Sequence, residues 1–368
     1  MPHLVKSQCS RRLYLLTNTS CNLRCTYCYE NKGNKVFNLE DYFFSLSEIL
    51  SQETPNGTFI RFHGGEPFLV FDKIKELCER IWAQNFKEKF VFFFATNGTL
   101  VHGAIQEWLL DHKDDIMLSL SIDGNKKSHD LNRSNSFDKI DVEFFAKNYP
   151  AVNANLTISP ATLNCLAENV IFLHESGFEN ITTHLAEMQK WSVNAKDIIY
   201  NQMKALTAFY NAHTNLRKCS LFDIDLKKVL YRDASIFPCS IGQKAAYDFE
   251  SKKYYPCHLY FDCVIDKEKS ANLQKIDITK PENFVSATCK KCSVQKLCQS
   301  CIVANYIQRG NTANRDMDLC ELHKSIYKAL CEAEFKRITQ DNRADKTPEQ
   351  HKNDVMIMMA IKEIYASL

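Results

Sequence analysis

Three cysteines in the stretch Cys21–Tyr29, which reads CNLRCTYCY, have the spacing of ligands to a metal centre. Four thiolates complete the coordination of a [4Fe–4S] cluster, and such a closed cluster mainly transfers electrons. Three thiolates leave one iron free to bind another molecule, as catalytic zinc sites keep one open position. A zinc knuckle or buried thiols are the alternatives, but between Cys28 and Cys78 only His63 could add a Cys or His ligand. The spacing therefore favours an iron–sulfur cluster with an open iron.

The chain has 16 cysteines in 368 residues, and ten of them fall into spaced groups. Cys289–Cys301 reads CKKCSVQKLCQSC; Cys320 follows it, and Cys239 and Cys257 lie upstream. A disulfide scaffold is not expected in a protein of this size in a reducing compartment. A zinc ribbon would explain one CxxC pair but not all of these cysteines. Metal ligation is the economical explanation.

Composition excludes several function classes. The net charge is +2 with no basic block, so we expect neither nucleic acid nor an anionic membrane surface as a partner. No apolar run has the length of a membrane span, and the N-terminus lacks the apolar stretch of a secretory signal. The expected location is the cytoplasm.

Strand-like and helix-like segments alternate from Arg12 to about His213. The predicted strands, rich in β-branched and aromatic residues, are Arg12–Thr19, Thr58–Phe62, Lys89–Ala95, Asp115–Ile122, Val152–Ser159 and Ile181–Glu187. The predicted helices are Leu39–Leu50, Asp72–Gln84, His102–His112, Ala161–Ser176, Ala195–His213, Glu321–Ile338 and Asp354–Ser367. Six βα units predict an α/β fold with a parallel sheet, either open or curled into a partial (β/α)6 TIM-like barrel.

Unusual polar motifs follow four successive predicted strands. The cysteine loop follows the first strand, HGGEP the second, TNG the third and SIDG the fourth. Folds of this class place their chemistry at the carboxyl ends of parallel strands. We therefore expect these four motifs to form one site. Between Cys239 and Cys320 the periodicity fades, which indicates a region organised around metal.

Cys21, Cys25, Tyr27 and Cys28 match the motif of radical S-adenosylmethionine (SAM) enzymes, which the chain resembles. The resemblance implies that the open iron chelates the amino and carboxylate groups of SAM. It also implies one-electron cleavage of the sulfonium to a 5′-deoxyadenosyl radical, which abstracts a substrate hydrogen.

The same resemblance implies further SAM-binding residues. The stretch Gly64, Gly65, Glu66, Pro67 would contact the methionyl amino group, although two glycines and a proline also suit a strand-to-helix turn. Ser121 and Arg133 would hold the methionyl carboxylate, which the planar fork of arginine can pair bidentately. Asn97 would approach the ribose, although TNG alone is a turn signal.

The C-terminal cysteines resemble the SPASM extension of radical enzymes that modify peptides, which carries two auxiliary [4Fe–4S] clusters. The resemblance implies one cluster held by Cys289, Cys292, Cys298 and Cys320, and another held by Cys239, Cys257 and Cys301. Two residues separate Cys298 from Cys301, where the family usually has three. In addition, LYRDASIFP stands before Cys239, where members of the family with a fully ligated first auxiliary cluster carry another cysteine. The first auxiliary cluster would then have an open iron or be completed by Cys263 or Cys219. Packing as small apolar residues is expected for Cys9, Cys78, Cys165 and Cys331.

With three [4Fe–4S] clusters, we expect a core domain at 1–215, a linker at 216–238, the SPASM domain at 239–325 and C-terminal helices at 326–368. Partners would be a peptide or protein substrate and an electron donor such as flavodoxin or ferredoxin. Only about ten residues precede the first strand, so leader recognition would use the core surface, the C-terminal helices or a separate leader-binding protein.

Three functions remain open. The first is a maturase that cross-links or otherwise oxidises side chains of a ribosomally made peptide. The second is an anaerobic sulfatase-type maturase that forms formylglycine; that family has Asp and Gln where this chain has His258 and His63. Histidine could accept a proton there or bond to a cluster sulfur. The third is a non-catalytic iron–sulfur sensor or scaffold.

Overall fold

The computed structural model describes residues 9–231, 241–242, 244–298, 300–340 and 346–366. These residues form eight strands in one sheet. The strands are β1 Arg11–Asn18, β2 Thr58–Gly64, β3 Phe90–Thr96, β4 Ile116–Ser121, β5 Asn153–Ile158, β6 Asn180–Leu185, β7 Ala245–Asp248 and β8 Lys253–Tyr255.

The sheet has the order β6-β5-β4-β3-β2-β1-β7-β8, and its pairs from β1 through β5 are parallel. The predicted α/β class with a parallel sheet is confirmed, and each of the six predicted strands is present. The sequence missed the last two strands. β7 pairs in parallel with β1, and β8 returns antiparallel to β7. The sheet therefore extends into the cysteine-rich region, where no strand was expected.

The helices are α1 Leu39–Leu50, α2 Phe71–Trp82, α3 Ala104–Asp111, α4 Lys126–Asn132, α5 Leu166–Glu175, α6 Ala195–Ala212, α7 Lys267–Gln274, α8 Ala287–Lys290, α9 Ile302–Arg309, α10 Met317–Gln340 and α11 Pro348–Tyr365. Helix α11 begins six residues before its predicted start. Thr347 and Gln350 form a reciprocal capping box, and Pro348 occupies the first turn, where its missing N–H costs nothing. Ser367, the predicted end of this helix, lies outside the described residues.

Contacts divide the chain into two compact units. The first comprises Met1–Leu156, Leu173–Asn180 and Ser240–Asn272, and the second comprises Thr157–Phe172, Ile181–Cys239 and Leu273–Leu368. Aromatic side chains fill the core of the first unit: Phe59, Phe62, Phe92 and Phe94 are completely buried. In the second unit, α10 packs against α6 and α11. Across the described ranges, no helix is long and apolar enough to cross a bilayer.

Candidate functional site

The cysteine loop lies directly against the segment that follows β2. The backbone N–H of Glu66 donates to the carbonyl of Ser20 (2.9 Å), and Asn18 Nδ2 donates to the carbonyl of Glu66 (3.0 Å). A Cβ atom on Gly65 would lie 2.1 Å from the Ser20 carbonyl oxygen and 2.9 Å from Cys21 Cβ. Only glycine permits this approach, so GGEP sets the position of the first cysteine.

The TNG motif after β3 joins the same arrangement. Asn97 Nδ2 donates to Asn22 Oδ1 (2.8 Å) and lies 4.0 Å from Cys21 Sγ. The Glu66 carboxylate accepts from the Asn97 backbone N–H (2.7 Å) and from Thr96 Oγ1 (2.8 Å). Burial raises the pKa of Glu66 to about 7, although these donors oppose the shift. Glu66 thus fixes Asn97 beside the loop.

Arg133 follows α4 and reaches the second cysteine. Its NH1 lies 4.0 Å from Cys25 Sγ, and its guanidinium carbon lies 5.3 Å from the centre of the Tyr27 ring. Burial opposes the charge of Arg133, but Asp123, with Oδ1 3.1 Å from Nε, raises the pKa of the guanidinium. Asp123 also accepts from the Tyr27 hydroxyl (2.7 Å). In the SIDG motif the sequence pointed to Ser121, which is half-buried at the end of β4. It gave no signal for Asp123.

The environment of the three thiols fits an iron–sulfur cluster. Burial raises the pKa of Cys21 and Cys25, so as free thiols they hold their protons near neutral pH until a metal replaces them. Arg133 NH1 lies 4.0 Å from Cys25 Sγ, so its positive charge would offset the negative charge that thiolates bound to a cluster bring to this loop. These surroundings suit the predicted iron–sulfur cluster.

A buried polar cluster lies beside the loop. His63 Nε2 is 3.0 Å from Glu30 Oε1, Lys32 Nζ is 3.1 Å from Glu30 Oε2, and the rings of His63 and His258 lie 4.6 Å apart. Burial raises the pKa of Glu30, but hydrogen bonds and charge from His63 and Lys32 outweigh it and lower that pKa to about 2. His258 Nε2 also lies 3.4 Å from the Tyr29 hydroxyl. Sequence reasoning noted the two histidines separately but missed Glu30, which has no motif to mark it.

The second unit brings four of the C-terminal cysteines together. Cys289 lies in α8, Cys292 lies two residues after this helix, and Cys320 lies in the first turn of α10. Burial and the neighbouring thiols Cys298 and Cys292 raise the pKa of Cys320 to about 11. Cys298 accepts from Arg315 NH1 at 3.3 Å. Arg315 supplies positive charge where four thiolates would collect negative charge.

The structure describes two of the three ligands expected for the first auxiliary cluster. Cys257 is buried in the first unit, and its Sγ lies 3.8 Å from His258 Nδ1. Cys301 belongs to the second unit and precedes α9. Cys239 lies outside the described residues. Cys263 and Cys219, the two residues considered for completing this cluster, are both buried.

Three of the four remaining cysteines pack in the core, as predicted: Cys9, Cys78 and Cys331 are at most 5% exposed. Cys9 contacts Phe59 and Val91. Cys165 is only half-buried, at the end of a short 3-10 turn before α5.

Comparison with known proteins gives matches over most of this chain. Residues 15–143 match the model of the Radical SAM superfamily. A cysteine-type anaerobic sulfatase-maturating enzyme of Clostridium perfringens strain 13 is 25% identical over 366 residues, covering 87% of this chain and 95% of that protein. The radical SAM cyclopropyl synthase TigE of Paramaledivibacter caminithermalis is 21% identical, covering 88% and 74%.

The fold has a counterpart among solved structures. Native anSMEcpe with bound AdoMet and the Kp18Cys peptide superposes with a TM-score of 0.68 at 22% identity, covering 89% of this chain and 98% of that one. At this identity the likeness concerns the fold. Residues 15–143, which include the cysteine loop, form a radical SAM domain, and the chain is homologous over most of its length to the anaerobic sulfatase-maturating enzymes.

Proposed function

We propose that this enzyme is a maturase that oxidises a side chain of a ribosomally made peptide, with cross-linking as its main reaction. The observation that carries the SAM chemistry is the meeting of the cysteine loop with GGEP, Asn97 and Arg133 at the carboxyl ends of β1 to β4. When bound, the clusters and SAM supply the 5′-deoxyadenosyl radical and an acceptor for the electron released by oxidation.

Each motif has a role in this proposal. Cys21, Cys25 and Cys28 would hold three irons of the catalytic cube. The methionyl amino group would lie against Gly64–Pro67, where the bare backbone allows close approach. Arg133 and Ser121 would bind the methionyl carboxylate, and Asn97 would face the ribose. Arg133 suits its role because its charge is held beside Cys25.

The C-terminal cysteines would hold two further clusters. Cys289, Cys292, Cys298 and Cys320 would hold one, and their mutual effect on pKa supports this set. Cys239, Cys257 and Cys301 would hold the other. A flavodoxin or ferredoxin would donate the electron that starts the reaction. The core surface, the C-terminal helices or a separate protein would bind a leader peptide.

The choice of substrate depends on His63 and His258. Sulfatase maturases have Gln and Asp at these two positions. Here both are histidines in contact, and Glu30 Oε1 lies 3.0 Å from His63 Nε2. Two departures that touch each other indicate one altered pocket, which favours an oxidation other than formylglycine formation. The second candidate is formylglycine formation, favoured by the name of the 25% identical relative. TigE, which is also similar to this chain, is named as a cyclopropyl synthase, and that name supports a reaction other than formylglycine formation.

Mass spectrometry separates these functions. Reduced, cluster-loaded enzyme is incubated with SAM and assayed for 5′-deoxyadenosine; absence of turnover would favour the sensor or scaffold. The enzyme is then co-expressed with the product of a neighbouring small open reading frame, and loss of two hydrogens supports cross-linking. A cysteine-containing sulfatase peptide serves as comparator. Its exchange of sulfur for oxygen, with loss of two hydrogens, would establish formylglycine formation and overturn cross-linking as the main activity.

A further inference from the structure

Asp123 is the second residue after β4 and is 1% exposed. Its Oδ2 accepts from the Tyr27 hydroxyl at 2.7 Å and from Asn132 Nδ2 at 3.0 Å, and its Oδ1 lies 3.1 Å from Arg133 Nε. One buried carboxylate therefore links the cysteine loop, the end of a central strand and the end of α4.

We propose that Asp123 is a positioning residue for SAM, which holds the Arg133 guanidinium in place to receive the methionyl carboxylate. The inference rests on the proposed SAM site. Beyond that site, the proposal is that Arg133 binds the methionyl carboxylate only while Asp123 contacts its Nε, because this contact keeps the terminal nitrogens directed toward the cysteine loop.

The geometry around Arg133 supports this role. A free arginine side chain samples many rotamers, and ordering it opposes binding of any ligand. Here Asp123 pairs with Nε while the Tyr27 ring lies against the guanidinium, so the planar group is fixed from two sides. NH1 still reaches toward Cys25 Sγ, at 4.0 Å. A preorganised fork of this kind suits a carboxylate bound next to the open iron.

The backbone of the same segment is attached to the cysteine loop. The Thr26 N–H donates to the Asn132 carbonyl (2.9 Å), and the Arg24 N–H donates to Ser134 Oγ (2.8 Å). Arg133 itself closes α4 through its N–H to the His129 carbonyl (2.7 Å). Since the backbone on either side is tied independently, Asp123 is needed for the side-chain direction rather than for the path of the chain.

Asp123→Asn tests the proposal because the amide keeps the shape but has one acceptor oxygen. Its NH2 must face either the Tyr27 and Asn132 donors or Arg133 Nε, so one contact is lost. We expect the anaerobically reconstituted variant to retain iron and to bind SAM about 10- to 100-fold more weakly in equilibrium dialysis. Asp138→Asn, which changes an exposed carboxylate paired with Lys126, is the matched control and should bind normally.

A double variant separates positioning from a general structural role. Because Asp123 acts through Arg133, combining Asp123→Asn with Arg133→Gln should weaken SAM binding no more than Arg133→Gln alone. Additive losses would overturn the proposal. Normal SAM affinity of Asp123→Asn beside a weakened Arg133→Gln would also overturn it, while leaving the SAM site intact. Normal affinity of Arg133→Gln would instead refute the proposed site.

A second substitution covers the case in which Asp123→Asn fails to load iron. Asp123→Glu keeps the charge but lengthens the side chain by one methylene group, which displaces the carboxylate relative to Arg133. We expect this variant to load iron, to bind SAM more weakly and to have a raised KM for SAM. Wild-type affinity in Asp123→Glu would show that the position of the carboxylate is unimportant and would overturn the inference.

Discussion

Gly65→Ala tests whether close packing between GGEP and the cysteine loop sets the catalytic geometry. The added Cβ would lie 2.1 Å from the Ser20 carbonyl oxygen, and real Cβ contacts essentially never fall under 3.0 Å. The loop must therefore shift by at least 0.9 Å, the difference between these distances. The obstacle is backbone rather than a flexible side chain, so rotation cannot relieve it. A displacement of this size at a reacting centre typically costs about 100-fold in rate.

The assay is the rate of 5′-deoxyadenosine formation by the reduced enzyme, with iron content measured on the same sample. Gly103→Ala is the control, because its Cβ would meet no heavy atom within 4 Å, although its φ of +50° makes alanine strained. The control should lose some stability but cleave SAM at nearly the wild-type rate. A Gly65→Ala enzyme with full iron that cleaves SAM within about threefold of wild type would refute the reasoning.

Three further predictions follow from the sites. Wild-type protein should hold about twelve irons per chain after anaerobic reconstitution, and a value near four would remove the auxiliary clusters. Cys25→Ala should abolish SAM cleavage with loss of about four irons, whereas Cys298→Ala should lose similar iron but keep cleavage; persisting cleavage in Cys25→Ala would refute the loop assignment. Burial lowers the pKa of His129 to about 4, so the stability it contributes is present above its unfolded pKa and is lost as pH falls toward 4. Protonation of His129 in the unfolded chain should lower the free energy of unfolding by about 2 kcal/mol between about pH 7 and pH 5. A urea midpoint of His129→Gln that varies with pH as the wild-type midpoint does would contradict this.

The sequence predicted the sheet because its strands are regular and apolar. Phe59 and Phe62 in β2, and Phe92 and Phe94 in β3, are buried residues that local composition already marks. The polar motifs at the strand ends were also predictable, since parallel strands bring their carboxyl ends to one edge.

Other features could not be predicted because they depend on distant partners. Strands β7 and β8 have four and three residues, too short for a pattern, and exist through pairing with β1. Helix α4, KKSHDLN, has no apolar period and is instead started by Asn125, whose side chain accepts from the Ser128 N–H. The contact of His63 with His258 joins residues far apart in the chain. The residues around each histidine do not predict that the other lies nearby.

The parallel pairing of β7 with β1 makes the two halves of the chain depend on each other for solubility. A chain truncated near residue 215 would lack the β7–β8 hairpin, so the edge of β1 that pairs with β7 would expose unpaired N–H and C=O groups. An exposed strand edge of this kind pairs with strands of other molecules, so the isolated N-terminal half should aggregate even though it carries the cysteine loop, GGEP, TNG and SIDG. Full-length expression is thus a requirement imposed by strand pairing before any cluster is considered.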